Sequence, residues 1–104
     1  MAVGQKHDQG KPMMGLIPPH AELVLAQVLT FGAQKYSPGN WRHVENARER
    51  YMDALLRHIN AVRRGEVLDP ESGLPHMGHA MCCISFLIEL DACCDLYHNV
   101  PQES

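Results

Sequence analysis

Two histidines and two acids lie within the run Asp-Pro-Glu-Ser-Gly-Leu-Pro-His-Met-Gly-His, which begins at Asp69 and ends at His79. Pro75 suits the first position of a helix, so His76 and His79 are predicted on adjacent turns of one helical face. Asp69 and Glu71 lie just ahead of that helix, where backbone N–H groups and the helix dipole favour anions. These residue types at this spacing indicate a site for a metal ion and a phosphate group.

A third imidazole, His58, lies on the apolar stripe of the preceding predicted helix. The short connection favours antiparallel packing of the two helices, which would bring His58 to His76 and His79. Three inward-facing imidazoles cost free energy unless each is hydrogen-bonded or bound to a metal. Together with nearby carboxylates they could bind a divalent transition metal through mixed nitrogen and oxygen ligands. The acids available for this are Glu66, Asp69 and Glu71.

These residues also have a structural interpretation. Hydrogen bonds between histidines and carboxylates could simply hold the loop of residues 66–76 against the rest of the protein. No spacing in this stretch is as specific as a zinc-finger signature. The residue pattern therefore leaves both interpretations open.

A second cluster surrounds the first predicted turn, Ser-Pro-Gly-Asn at residues 37–40. A lysine and an asparagine beside a tyrosine and a tryptophan could grip phosphate and stack on a base. The alternative is that Trp41 is a plain core residue. Arg57 either neutralises phosphate oxygens or pairs with Asp53 one turn earlier. The candidate substrate-binding residues are Lys35, Tyr36, Asn40, Trp41 and Arg57.

Three helices must position these side chains. Apolar spacing predicts helices over residues 20–36, 44–64 and 75–98. Gly65 is predicted to end the second helix in a left-handed conformation. Residues 1–15 are polar and glycine-rich and are predicted to form a flexible arm, which leaves residues 16–100 as one domain. No alternating strand pattern of useful length is present, so the sequence predicts an all-α fold.

The third predicted helix is apolar on almost every side from residue 80 to residue 90. Two partner helices cannot cover such a helix on all sides in a chain of 104 residues. We therefore expect a small bundle of three main helices that is completed by homo-oligomerisation.

Composition excludes several classes of protein. A net charge of −3 provides no basic face for duplex nucleic acid. The chain lacks an apolar run of transmembrane length and a signal-peptide core, so a cytoplasmic protein is expected.

The cysteines form adjacent pairs at residues 82–83 and 93–94, which predicts small buried hydrophobes rather than metal ligands. Without a glycine-rich phosphate loop or a Ser/His/Asp constellation, any catalysis would use metal-activated water.

Five stretches of the chain carry a family resemblance: Leu29-Thr-Phe-Gly-Ala-Gln-Lys-Tyr36, Asn40-Trp41, Ala54-Leu-Leu-Arg-His58, Gly65-Glu66 and Asp69-Pro-Glu-Ser-Gly-Leu-Pro-His-Met-Gly-His-Ala80. Over about residues 10–90 the chain resembles the small phage and bacterial dATP/dGTP diphosphohydrolase (pyrophosphohydrolase) domain, which is associated with MazG-like all-α nucleotide pyrophosphohydrolases. The resemblance implies hydrolysis of a purine deoxynucleoside triphosphate, dGTP or dATP, to the monophosphate and pyrophosphate with Mg²⁺ or Mn²⁺. It also implies dimeric or tetrameric helical bundles with sites near subunit contacts, in a bacterial or phage-infected host cytosol.

The resemblance and the residue pattern combine into one mechanistic hypothesis. The predicted ligands of one or two divalent ions are His58, Asp69, His76 and His79. Lys35 and Arg57 hold the triphosphate, and Trp41 or Tyr36 contacts the base. Metal-activated water then attacks the α-phosphorus. The candidate general bases, between which the sequence does not choose, are Glu66 and Glu71.

Two other functions fit the same residues. A non-catalytic phage nucleotide-binding protein could sequester a nucleotide, such as a defence signal, without cleaving it. A purely structural helical oligomer would use the histidines only as packing anchors.

Overall fold

The computed structural model describes residues 4–93 of the chain. Its three helices are α1 (Pro19–Lys35), α2 (Ala47–Arg63) and α3 (His76–Cys93), with single 3₁₀ turns at Met14–Leu16 and Asn40–His43. Within the described range the only extended pairing is an isolated bridge between Leu68 and Pro75. The predicted all-α fold of three main helices is confirmed. Residues 4–13 contain no helix and are exposed, while the predicted flexibility of the arm stays a prediction.

The helix boundaries agree closely with prediction except at the start of α2. That helix begins at Ala47 rather than at residue 44, because Val44 is extended (φ −73°, ψ 125°) and Asn46 is left-handed (φ 54°, ψ 40°). Gly65 takes the predicted left-handed conformation with φ 94° and ends α2. The part of the third predicted helix beyond residue 93 lies outside the described residues.

Helix α3 packs against both other helices, and its contact with α2 is the more extensive. The direction follows from three contacts that run in reverse order along α2 and α3: Arg48 with Asp91, Tyr51 with Phe86, and His58 with His79. The two helices are therefore antiparallel, as the short connection between them predicts. This arrangement brings the end of α2 to the start of α3.

Helix α1 approaches α3 closely because α3 carries a glycine at the contact. A Cβ atom on Gly78 would lie 2.6 Å from Val24 Cγ1 and 3.1 Å from Val28 Cγ2. Valine side chains have few alternative rotamers in a helix, so they cannot easily move away. Gly78 thus sets the distance between the two helices beside the histidine cluster.

The buried apolar core is small and centres on α3. Its members are Val28, Ala80, Cys82, Cys83 and Leu87. Burial raises the pKa of the Cys82 thiol to about 12, so this cysteine is a neutral packing residue. The prediction of buried cysteines is correct for Cys82 and Cys83 and wrong for Cys93, which is exposed because it is at the end of α3. Cys94 lies outside the described residues.

One face of α3 remains apolar and open. Met77, Ile84 and Ile88 are 56%, 45% and 50% exposed, and their spacing places them on one side of the helix. No described helix is both long enough and apolar enough to cross a membrane. The expectation that a second subunit covers the spare surface of α3 stays a prediction.

The Gly78→Ala variant should have a lower free energy of unfolding than the wild-type chain. Overpacking at such a contact costs about 1–3 kcal/mol, against about 1 kcal/mol gained from the helix propensity of alanine. Gly32→Ala is the matched control, because nothing lies within 4 Å of a Cβ atom at that helical position. Urea denaturation should therefore show a lower free energy of unfolding than wild type for Gly78→Ala and a higher one for Gly32→Ala. Equal stabilisation by both would contradict the proposed close approach.

Candidate functional site

The loop between α2 and α3 folds back on itself and fixes the position of Asp69. The Asp69 amide donates to the Leu74 carbonyl at 2.8 Å, and the His76 amide donates to the Val67 carbonyl at 2.9 Å. Gly73 reverses the chain with φ 71° and donates its amide to the Asp69 carbonyl at 2.8 Å. These bonds hold the Asp69 carboxylate at the start of α3.

Asp69 is stabilised as an anion by Ser72. The Ser72 amide donates to Asp69 Oδ2 at 3.0 Å. Burial by itself would raise the pKa of Asp69, but hydrogen bonds from the Ser72 amide and hydroxyl outweigh it and hold the pKa below its ordinary value. A carboxylate kept ionised in this way is suited to bind a cation.

The three predicted histidines do converge, and each ring has a distinct partner. His58 Nδ1 and His76 Nδ1 lie 2.8 Å apart across the two helices. On its other side the His76 ring, only 4% exposed, places Nε2 2.6 Å from Glu66 Oε1. His79 Nε2 lies 2.7 Å from Ser72 Oγ, and its ring stacks on His58 with 4.8 Å between centroids.

Two of the histidines and Asp69 bring possible metal-ligand atoms close together. One ligand atom each from His58, Asp69 and His76 lies within 4.8 Å of the other two. Two nitrogens bound at right angles to one ion, each about 2.1 Å away, would be separated by about 3 Å. The observed 2.8 Å between the two Nδ1 atoms is close to that separation. His79 is outside this trio, and its Nε2 is 3.7 Å from Asp69 Oδ2.

Glu66 has the position of an orienting residue. A carboxylate that accepts the N–H of one ring nitrogen directs the other nitrogen toward a metal and makes it a better ligand. Glu66 can do this for His76, since Nε2 contacts the carboxylate and Nδ1 faces His58. The donor set and its supporting hydrogen bond therefore fit a divalent metal ion.

Two rings of the cluster, His58 and His79, favour their neutral forms. Burial lowers the pKa of His58, and the neighbouring His79 and His76 rings lower it further. Burial likewise lowers the pKa of His79, although Asp69 opposes the change. Neutral imidazole is the form that binds metals.

A cavity of about 840 Å³ adjoins the cluster, between α1, α2, α3 and the turn after α1. Its lining includes every predicted substrate-binding residue, together with His58, His79 and Glu71. Its volume is within the usual range for small-molecule sites. The structure thus brings the two clusters found in the sequence together at one place. Those substrate-binding residues are Lys35, Tyr36, Asn40, Trp41 and Arg57.

The aromatic part of the cavity differs from the simplest expectation of base stacking. One face of Trp41 stacks on Phe86, with 4.7 Å between centroids and 10° between planes. The Arg42 guanidinium lies over the Trp41 ring, 4.5 Å from its centroid. Phe86 and Arg42 both pack on the Trp41 ring, which agrees with the interpretation of Trp41 as a core residue. Trp41 also lines the cavity. Tyr36 is 64% exposed, at the edge of the bundle.

Some charged groups of the cavity form ion pairs and others do not. Lys35 Nζ contacts both carboxylate oxygens of Glu71, at 2.8 and 2.9 Å, and this bond raises the pKa of Lys35. The possible pair between Arg57 and Asp53 is absent from the ion pairs of residues 4–93. Glu71 lines the cavity, whereas Glu66 is on the far side of His76 and does not.

Sequence reasoning missed several residues of the site. Ser72 links Asp69 to His79, and the only sequence signal was the Asp-x-x-Ser spacing of a turn in which an acid accepts a backbone N–H. Tyr51 and Phe86 form the aromatic wall. Their spacing in the sequence is that of an ordinary apolar helical stripe, which gives no signal for a cavity wall.

Comparisons with known proteins support one family. The model of the family described as dATP/dGTP diphosphohydrolase, N-terminal, matches residues 1–99. A dATP/dGTP diphosphohydrolase of Salmonella phage PMBT28 is 38% identical over 87 residues, which are 84% of this chain and 29% of that protein. The chain therefore spans less than a third of that relative's length. No solved structure matches the chain.

The free energy of unfolding should fall as the pH is lowered from 7 to 5. The pKa values of His58 and His79 in the folded state are below the ordinary 6.5, so the unfolded chain binds more protons below that pH. Asp69, whose pKa is lowered, causes a further loss of stability only as the pH falls below the ordinary pKa of 3.8. Urea denaturation at several pH values measures the effect. His58→Gln should flatten the dependence, and stability that is constant or rises toward pH 5 would contradict the account.

Proposed function

Because the chain belongs to the dATP/dGTP diphosphohydrolase N-terminal family, we propose that it hydrolyses dGTP or dATP to the monophosphate and pyrophosphate with a divalent metal. The observation that carries the proposal is the position of His58. This residue belongs to the metal-binding trio and also lines the cavity that contains the candidate substrate-binding residues. A metal ion held there would be next to a bound nucleotide.

The residues that would hold the ion are His58, Asp69 and His76. Two imidazoles and one carboxylate favour Mn²⁺ or another transition metal over Mg²⁺, which prefers oxygen ligands. When bound, such an ion would make water a better nucleophile and neutralise charge on the leaving pyrophosphate. Glu66 would keep Nδ1 of His76 directed toward the ion.

Three lysine or arginine side chains line the cavity, and we assign two of them, Arg57 and Lys35, to the phosphates. Arg57 lies beside His58 and has no partner among the ion pairs of the described residues. Its guanidinium can bind two phosphate oxygens at once. Lys35 is paired with Glu71, and a triphosphate would compete with that carboxylate for the ammonium group. Release of Lys35 would leave Glu71 free to accept a proton.

Glu71 is the better candidate for the general base. It lines the cavity and is exposed, so it can reach water beside a bound nucleotide. Glu66 instead bonds to the nearly buried His76 ring. We assign Glu66 a positioning role and Glu71 the proton-accepting role.

Nucleotide binding without hydrolysis is the second candidate function. More than two thirds of the phage relative lies outside the matched region, so its hydrolytic residues need not be in this part. In that case the same cavity would hold a purine nucleotide, and the histidine cluster would anchor the loop or a structural ion. A homo-oligomer that covers Met77, Ile84 and Ile88 is compatible with either function.

Hydrolysis and binding are separated by incubating the protein with each of the four dNTPs and a cyclic dinucleotide, with and without Mn²⁺ or Mg²⁺. If the protein is a hydrolase, chromatography should detect pyrophosphate and the monophosphate released from dGTP or dATP only when the metal is present. His76→Ala should remove that activity, because it deletes a ligand of the trio. Intact nucleotide recovered from denatured protein would favour the binding function. If the protein neither forms products nor retains a nucleotide, both candidate functions are contradicted.

Removal of the orienting carboxylate should weaken the metal site without unfolding the chain. Glu66→Ala is expected to lower the affinity for Mn²⁺ by about 10–100-fold, measured by calorimetric titration, because His76 loses its supporting hydrogen bond. Glu89→Ala is the matched control, since Glu89 is an exposed acid of α3 outside the cavity lining. Equal affinities for the two variants would remove Glu66 from the metal site.

A further inference from the structure

The cavity has two chemically different ends along α2. His58 and Arg57 lie at the end near the metal-binding trio. Tyr51 lies about two turns earlier, where it contacts Phe86, the residue on which Trp41 stacks. A nucleotide with its phosphates at the histidine end would therefore direct its base toward the aromatic end. This orientation rests on the proposed function.

Asp53 lines the cavity between these two ends. It is five residues before His58, which corresponds to about 7.5 Å along the helix axis at 1.5 Å per residue. Its side chain is exposed, and none of the ion pairs or hydrogen bonds within residues 4–93 involves it. Only one other carboxylate is in the cavity lining, that of Glu71, to which the proposed function gives the proton-accepting role.

We propose that Asp53 reads the base and makes the cavity selective for guanine over adenine. A carboxylate only accepts hydrogen bonds, and it can accept two parallel ones. Guanine offers two adjacent donors on one edge, the ring N1–H and the exocyclic 2-amino group. Adenine has an unprotonated N1 at the same place, so its lone pair would face the negative charge of Asp53.

Two other groups near the aromatic end, Trp41 and Asn40, select less strongly between the two purines. Trp41 has Phe86 against one face and Arg42 over its ring, and stacking in any case accepts either base. Asn40 has both a donor and an acceptor, so it can pair with either purine edge. Among the acids of the cavity, Asp53 is thus the one whose charge would distinguish guanine from adenine.

The test is a calorimetric titration of the full chain, with Mn²⁺ present, using the α,β-methylene analogues of dGTP, dITP and dATP, which resist cleavage at that bond. Trp41, in the cavity lining, reports occupancy through its fluorescence. The wild-type protein should bind the dGTP analogue most tightly, the dITP analogue next and the dATP analogue least. Each lost charge-assisted hydrogen bond should cost about tenfold or more in affinity.

Asp53→Asn should reduce the preference for dGTP over dATP by at least about tenfold, because asparagine can donate to the adenine N1. Glu49→Gln is the control, since it removes an exposed acid from the same helix outside the cavity lining and should leave the preference unchanged. A preference unaltered by Asp53→Asn would overturn the role of Asp53 while nucleotide binding stands. Absence of binding by the wild-type protein would instead overturn the proposed function, and this inference with it.

Discussion

The contact between His58 and His76 is the interaction on which the rest of the site depends. Two imidazole nitrogens from different helices can lie 2.8 Å apart only if at least one of them carries no proton, so that it accepts a hydrogen bond from the other or both bind one cation. Burial and neighbouring rings lower the pKa of His58, so its neutral form is favoured. The antiparallel packing of α2 and α3, the folded loop and the hydrogen bond from His76 to Glu66 all serve to maintain this contact.

Much of this arrangement could be predicted from sequence, because it follows from periodicity. The apolar stripe of α2 gave the direction of His58, and the short connection gave the antiparallel partner. The details within the loop could not be predicted in the same way. The bond of Ser72 to His79 depends on the turn at Gly73, and the packing of Trp41 depends on a residue 45 positions away, Phe86. The late start of α2 follows from the left-handed Asn46, for which helical periodicity gives no signal.

Burial differs between His76, one of the candidate metal ligands, and the charged groups of the cavity. His76 is almost completely buried, which holds its ring in a fixed orientation, whereas Lys35 and Glu71 remain well exposed. Such a division suits a site whose ion-binding part is preorganised and whose substrate-binding part exchanges ligands with water. Part of α3 stays exposed beside this small core, and the close approach of α1 at Gly78 is one of the contacts that hold the helix in place.

The most direct test of the central claim is anomalous diffraction from crystals of the wild-type protein soaked in Mn²⁺. One manganese peak is expected, bound by Nδ1 of His58, a carboxylate oxygen of Asp69 and Nδ1 of His76, with Glu66 still bonded to Nε2 of His76. A manganese ion bound elsewhere would contradict it. So would the two imidazoles still hydrogen-bonded to each other at a saturating Mn²⁺ concentration.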